Sequence, residues 1–351
     1  GLYAKVFFMA HWGGSHFTAL CGLMFLAMTV RRAQAMGIMA PLAVEVQSAL
    51  LSVGDRMAQA TSTLRGVALG SHTSLRTRPS FWDEIEKMQR VEGGGLVVVT
   101  DFDRTLTSFK GINGDKGEEC HDIVFKHASS TQEWADSIKA LWEDTRHRFG
   151  PFHELSNEDR VKFCDWWWAE ANGKMLEHGI TRDAVKLAAQ KCNTRLRPGC
   201  ADLIRKCQER NIPFFIVSAG FTDVIEGILE REGVPLRGVV VHANKMMFDD
   251  RGVLSGFEGG IVHPHNKDEF QHHPLAAPAC HRSRLVVLGD KVKDLESVAG
   301  LGDKAVAALK VGFANLGDEE ELLSHYDAVV PADGPMHTVS ELVDRFLRAG
   351  A

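Results

Sequence analysis

The sequence predicts an α/β fold: a Rossmann-like parallel sheet with helices on both faces and an all-helical cap domain inserted into it. Three observations point there. Short apolar runs rich in β-branched or aromatic residues, at 96–99, 213–217 and 285–288, read as strands buried on both faces. Each run is followed by polar residues (Asp101 and Asp103, Ser218, Asp290) at the strand ends where open α/β sheets place their chemistry. Between the first and second runs, residues 120–193 carry helical rather than strand periodicity.

Composition sets the bounds. The chain has 351 residues, 44% hydrophobic and 25% charged, enough for one large or two modest domains of ordinary globular kind. A formal net charge of −6 argues against a nucleic-acid surface, which needs a basic face. That charge is unevenly spread. Residues 1–80 hold seven Lys/Arg against two acids, a net of +5, which leaves −11 for the remainder. Seven cysteines, odd in number and without a C-x-x-C, suggest reduced thiols in a reducing compartment.

Residues 1–79 read as an N-terminal extension. The apolar stretch 17–30, closed by Arg31-Arg32, is short for a membrane span and suits a signal-type core or a buried helix. Residues 31–80 are poor in acids and rich in Ser, Thr, Ala and Arg, as organellar transit sequences are. Targeting, a membrane tether and disorder all fit this segment. The catalytic reading does not depend on it.

From residue 80 the elements follow in order. Apolar residues at Phe81, Trp82, Ile85 and Met88 share one helix face, with Ser80 placed to cap it. Gly93-Gly94-Gly95 breaks that helix and feeds the first strand. Residues 108–119, rich in glycine and charge, form a flap. In 120–193, Trp134, Ile138, Leu141 and Trp142 share a face, and Phe163, Trp166, Trp167 and Met175 suggest another. The adjacent Trp166-Trp167-Trp168 point about 100° apart on a helix, so at least one must be exposed or face a cleft, where an indole can stack on a base. A helix over 200–210, the strand 213–217, a helix over 222–231 and a strand at 239–241 come next. Residues 246–260 read as a hairpin whose Asp249-Asp250-Arg251-Gly252 tip is turn-forming rather than metal-binding. A strand over 285–290 and a closing helix at 339–347 follow.

The residue types at the strand ends point to phosphoryl chemistry. Asp101 and Asp103, one residue apart past a buried strand, make a compact anionic site for a hard cation. Ser218, just before a helix N-terminus, can bind phosphate through its hydroxyl and the free backbone N–H groups. Asp290 ends another buried strand, and Asp294 follows four residues on. His263, His265 and His272 lack a Cys or acid partner at ligand spacing, which argues against zinc.

Asp101-Phe102-Asp103-Arg104-Thr105-Leu106-Thr107 fits a D-x-D-x-T signature and resembles that of the haloacid-dehalogenase-like phosphohydrolases. More narrowly, residues 80–351 resemble the type-III cytosolic 5′-nucleotidases, the pyrimidine 5′-nucleotidase group with its 7-methylguanosine-phosphate-hydrolysing relatives. Ser218-Ala219-Gly220, Asn266-Lys267 and the G-D-x-x-x-D of Gly289 to Asp294 are similar to that family's later motifs.

The resemblance implies a catalytic core of 80–119 and 194–351 and a helical cap of 120–193. It implies a Mg²⁺-dependent 5′-nucleotidase acting on pyrimidine nucleoside monophosphates such as UMP and CMP, or on 7-methyl-GMP, through an aspartyl-phosphate. Asp101 is then the nucleophile and Asp103 the acid/base. Asp101, Asp103 (through its carbonyl), Asp290 and Asp294 hold Mg²⁺, and Ser218, Ala219 and Lys267 hold phosphate. Glu154, Trp166 and Trp167 are the base-binding candidates. Lys291-Val292-Lys293 departs from the small or polar residues of the relatives. Another small phosphomonoester as substrate, or transfer to a nucleoside acceptor, remains open at this point. The expected partner is a small nucleotide, with no nucleic acid and no stable membrane insertion of the core. A monomer with a cytoplasmic catalytic core is expected, with organellar targeting by the extension left open.

Overall fold

The computed structural model divides the chain into units 1–71 and 72–351, and describes residues 75–91, 95–298 and 305–348 of the second. The expectations for residues 1–74, including the apolar stretch at 17–30, and for Gly93, Gly94 and residues 300–304 lie outside these. No helix among the described residues is long and apolar enough to cross a membrane.

The strands are β1 (Arg76–Thr77), β2 (Leu96–Thr100), β3 (Phe214–Phe221), β4 (Val239–Phe248), β5 (Leu254–Glu258), β6 (Arg284–Gly289), β7 (Ala307–Phe313) and β8 (Ala328–Val330). They form one sheet in the order β1-β8-β7-β6-β2-β3-β4-β5. The six strands β8, β7, β6, β2, β3 and β4 run parallel, while β1 and β5 are antiparallel edges. The parallel sheet expected from sequence is therefore the centre of a mixed one. β1 belongs to the segment assigned from sequence to the extension; two residues are too short to carry a strand signal.

Every residue of β2 and β6 is buried, as apolar runs without alternation require. One face is filled by Val97, Val99, Phe215, Val217, Leu285 and Val287 against Phe270, Ala276, Ala279 and Val298. The chain reversal at the center of the order, from β2 to β3 on one side and β6 on the other, makes the β2–β3–β6 ends the topological switch point.

The helices are α1 (Phe81–Arg90), α2 (Cys120–His127), α3 (Gln132–Phe149), α4 (Asn157–Glu177), α5 (Arg182–Lys191), α6 (Cys200–Glu209), α7 (Thr222–Arg231), α8 (Ala277–Cys280), α9 (Glu319–Leu323) and α10 (His337–Arg348). Helices α2 to α5 lie in the sequence between β2 and β3. Thr131, Ser156 and Thr181 cap α3, α4 and α5 by accepting from the N–H of Trp134, Asp159 and Ala184. At the β4–β5 turn, Asp249 Oδ1 accepts from Arg251 N and Val253 N at 2.9 and 2.8 Å, the turn-forming use expected of it.

Candidate active site

β2 and β6 are parallel neighbors with Thr100 opposite Leu288, so the residues that follow them, Asp101 and Asp290, emerge side by side. Asp101 N donates to Leu288 O at 3.1 Å and fixes that juxtaposition. Gly289 admits Asp294 to the same corner. A Cβ there would lie 2.5 Å from Asp294 Cβ and would run into Tyr326 Oη. Asp294 Oδ2 then accepts from Asp290 N and Lys291 N at 3.1 and 2.9 Å.

The outcome is a buried carboxylate cluster. Asp101, Asp290 and Asp294 bring carboxylate oxygens within 4.8 Å of one another. Lys267 Nζ, itself 3% exposed, donates to Asp101 Oδ1 at 2.6 Å and to Asp294 Oδ1 at 2.7 Å. Burial alone would lower the Lys267 pKa, but Asp101 and Asp294 outweigh it and hold the ammonium charged. Burial pushes Asp101 up to about 6 against the pull of Lys267. Burial and the two neighboring carboxylates push Asp290 well above the ordinary range. Three carboxylates and one ammonium leave two negative charges, and every donor is a hard oxygen. That set fits Mg²⁺.

Asp103 takes a different course. Its carboxyl turns to Cys120, whose N–H donates at 3.2 Å and whose thiol lies 3.5 Å away. Burial, Glu119 and Asp101 raise it to about 8, so it carries a proton at neutral pH. The loop between them is tightly held. Arg104 adopts φ 62°, and its N–H donates to Thr107 Oγ1 at 2.7 Å. Arg197, 1% exposed, donates to the carbonyls of Arg104, Thr105 and Thr107 at 2.7, 3.0 and 3.3 Å.

Ser218 lies at the irregularity where β3 leaves its register with β4, between Val217 and Phe221. Its Oγ accepts from Gly220 N at 3.1 Å. Asn244, 2% exposed, takes over the pairing that the ladder drops there. Its Nδ2 donates to the carbonyls of Ala219, Gly220 and Val262 at 2.9, 3.0 and 2.8 Å, and its Oδ1 accepts from Val262 N at 3.0 Å. One side chain therefore ties the Ser218 turn to the segment that leads into Lys267.

A family model described as pyrimidine 5′-nucleotidase (UMPH-1) matches residues 104–347. The chain belongs to this family. As a member it is a 5′-nucleotidase, an enzyme of the phosphoric monoester hydrolase class. It is 29% identical over 286 residues to 7-methylguanosine phosphate-specific 5′-nucleotidase A of Xenopus laevis, covering 80% of this chain and 98% of the relative. The human 7-methylguanosine phosphate-specific 5′-nucleotidase is 27% identical over 312 residues, covering 84% and 97%. The solved cytosolic 5′-nucleotidase IIIB bound to cytidine shares the fold at a TM-score of 0.68 and 20% identity, over 80% of this chain and 95% of that one.

The family's sequence motifs thus fall into two groups in space. Asp101, Asp290, Asp294 and Lys267 meet; Asp103 and Ser218 stand on the flanking turns. The base-side candidates are not brought to the cluster. Glu154 is exposed on a short turn of 3₁₀ helix, with His153 Nε2 3.5 Å from its carboxylate. Trp166 is half-buried against Phe149 with Arg148 over its ring. Trp167 is 4% exposed, and His121, Trp142 and Trp168 surround it, which leaves it no free face for stacking. Trp168, unselected from sequence, instead donates from Nε1 to Ala219 O at 3.0 Å. Asn244, Cys120 and Arg197 were also missed. Only the fully buried placement of a polar side chain would have marked them, and burial of a lone Asn or Arg leaves no periodic trace.

Proposed function

We propose that this nucleotidase is Mg²⁺-dependent and works through an aspartyl-phosphate. The observation that carries the reading is the buried meeting of Asp101, Asp290 and Asp294 on Lys267. Asp101, Asp290 and Asp294 would hold the ion, which supplies charge neutralization for the attacking carboxylate and the phosphoryl oxygens.

Asp101 attacks phosphorus as the P–O bond to the nucleoside 5′-oxygen breaks. Asp103, protonated at neutral pH, gives that oxygen its proton and then, as a carboxylate, takes one from the water that hydrolyzes the acyl phosphate. Lys267 and Ser218 hold the phosphoryl oxygens, Lys267 by charge and Ser218 by its hydroxyl.

Residues 120–193 act as a cap over this site and carry leaving-group specificity, excluding water while the intermediate lasts. The names of the curated relatives favor 7-methyl-GMP as substrate, with UMP and CMP as the family alternatives. An aromatic-rich cap suits a cationic methylated purine through cation–π attraction. Of the base-side residues, Glu154 and Trp166 are the accessible ones. Among the described residues, five free buried cysteines (Cys120, Cys164, Cys192, Cys200 and Cys207) support a reducing, cytoplasmic setting.

Phosphate release from 7-methyl-GMP, UMP, CMP and AMP, with and without Mg²⁺, tests the reading. Release is expected from at least one of the first three and only with the cation. Asp101→Asn is expected to abolish turnover while leaving the fold intact; near-normal activity in that variant would overturn covalent catalysis.

A further inference from the structure

Helix α4 presents one face to the sheet. Trp168 and Asp165, three residues apart, share that face. Asp165 Oδ1 lies 3.0 Å from His263 Nε2, and His263 Nδ1 accepts from His265 N at 3.1 Å, which makes Nε2 the donor to Asp165. This contact falls on the segment that leads to Lys267. Trp168 Nε1 donates to Ala219 O at 3.0 Å, on the turn that carries Ser218. The cap thus meets both segments that grip phosphate.

The second contact reaches further than packing. Ala219 C=O and Gly220 N–H are the two ends of one peptide group. The carbonyl end accepts from Trp168, and the N–H end donates to Ser218 Oγ at 3.1 Å. A peptide that accepts at oxygen becomes a stronger donor at nitrogen. With one lone pair of Ser218 Oγ engaged by Gly220, the hydroxyl proton is left for an outside acceptor. Asn244 Nδ2 holds the same carbonyl from the sheet side and stays with the core, whereas the indole arrives only with α4.

We propose that Trp168 is a positioning residue which couples seating of the cap to the phosphate-gripping hydroxyl of Ser218, through the Ala219–Gly220 peptide. The inference rests on the reading of Ser218 as a phosphate ligand in a capped hydrolase. It gives the third tryptophan of the run a part in aligning phosphate rather than in recognizing the base.

The test is Trp168→Phe in the full chain, which keeps a ring and deletes the N–H. Losing one hydrogen bond of this kind is expected to lower kcat about three- to tenfold. The loss should be equal for a nucleotide and for p-nitrophenyl phosphate, which has no base, and any rise in KM should be equal for both. Affinity for inorganic phosphate, titrated calorimetrically with Mg²⁺ present, should fall by a similar factor. On a Ser218→Ala background the same substitution should cost nothing more.

A loss confined to nucleotides would make Trp168 a base platform and overturn the proposal. So would undiminished phosphate affinity, or a full loss on the Ser218→Ala background. If the parent chain hydrolyzed neither substrate, the hydrolase reading would fail by itself and the phosphate titration alone would decide the coupling. Should Trp168→Phe not fold, Trp168→Met is read in the same way.

Discussion

Lys267 Nζ lies 2.6 Å from Asp101 Oδ1, with both side chains buried. A buried ion pair of this kind adds little stability of its own, but removing one partner strands the other charge. Lys267→Met keeps the length and deletes the ammonium, leaving Asp101 and Asp294 facing each other uncompensated. The variant is expected to lose about 3–5 kcal/mol of stability at neutral pH. Asp101, already raised to about 6, rises further without the lysine. It takes up a proton as pH falls, so the deficit should shrink toward pH 5. Chemical denaturation at pH 7.5 and pH 5 measures this; a deficit that grows on acidification would contradict the pairing.

Asp103 predicts the shape of the pH profile. Its carboxyl is held at about 8 by burial, then Glu119 and Asp101, and the protonated form is the one that can donate. The active form is therefore lost as pH rises through that value. A divalent cation beside it pulls the value down, so the alkaline limb should begin at or below pH 8. For a nucleoside monophosphate, kcat/KM is expected to fall about tenfold per pH unit beyond it. p-Nitrophenyl phosphate, whose leaving group needs no proton, should show no such limb. A flat profile to pH 9 with the nucleotide would remove Asp103 from the role of acid.

How much of the structure is legible in the sequence differs between the sheet and the helical insertion. The strands announce themselves because β2 and β6 are buried on both faces and so contain almost nothing but Val and Leu. Their ends are legible for the complementary reason: a carboxylate has no other cause to follow such a run. The two-residue β1 carries no pattern that marks it as part of the fold. In the helical insertion, periodicity marks which residues are apolar but not which apolar face meets which neighbor. Trp167 and Trp168 are chemically identical in the sequence. One packs inside the insertion and the other reaches Ala219, because α4 is rotated to bring Asp165 onto His263. That rotation is set by tertiary packing, to which local spacing is blind.

The carboxylate cluster makes a prediction for metal binding that needs no turnover. Burial and its neighbors raise Asp290 well above the ordinary range, so a cation binding there competes with protons. Mg²⁺ binding is expected to release protons, seen as a buffer-dependent heat in calorimetry, and to weaken as pH falls. At about 100 times the dissociation constant, the ion should stabilize the fold by about 2.7 kcal/mol, and EDTA should reverse this. Asp290→Ala should abolish both the heat and the stabilization. Undiminished Mg²⁺ binding in that variant would place the ion elsewhere.

Asn244 yields the last prediction, and a sharper one than its position in a loop-side strand suggests. Its amide meets three carbonyls at 2.8–3.0 Å, and its oxygen meets Val262 N. Asn244→Asp preserves the shape and the accepting oxygen but turns a carboxylate oxygen toward the carbonyls of Ala219, Gly220 and Val262. Leaving those buried acceptors unsatisfied is expected to cost about 1–3 kcal/mol, more with the charge. It should also lower kcat at least tenfold by loosening Ser218 against Lys267. Repulsion from the carbonyls raises the pKa of the introduced carboxyl, so falling pH restores a hydroxyl donor. Thermal unfolding from pH 8 to pH 5 should therefore show the deficit of Asn244→Asp narrowing while that of Asn244→Ala stays constant. If both deficits move in parallel, the amide donors do not hold the turn.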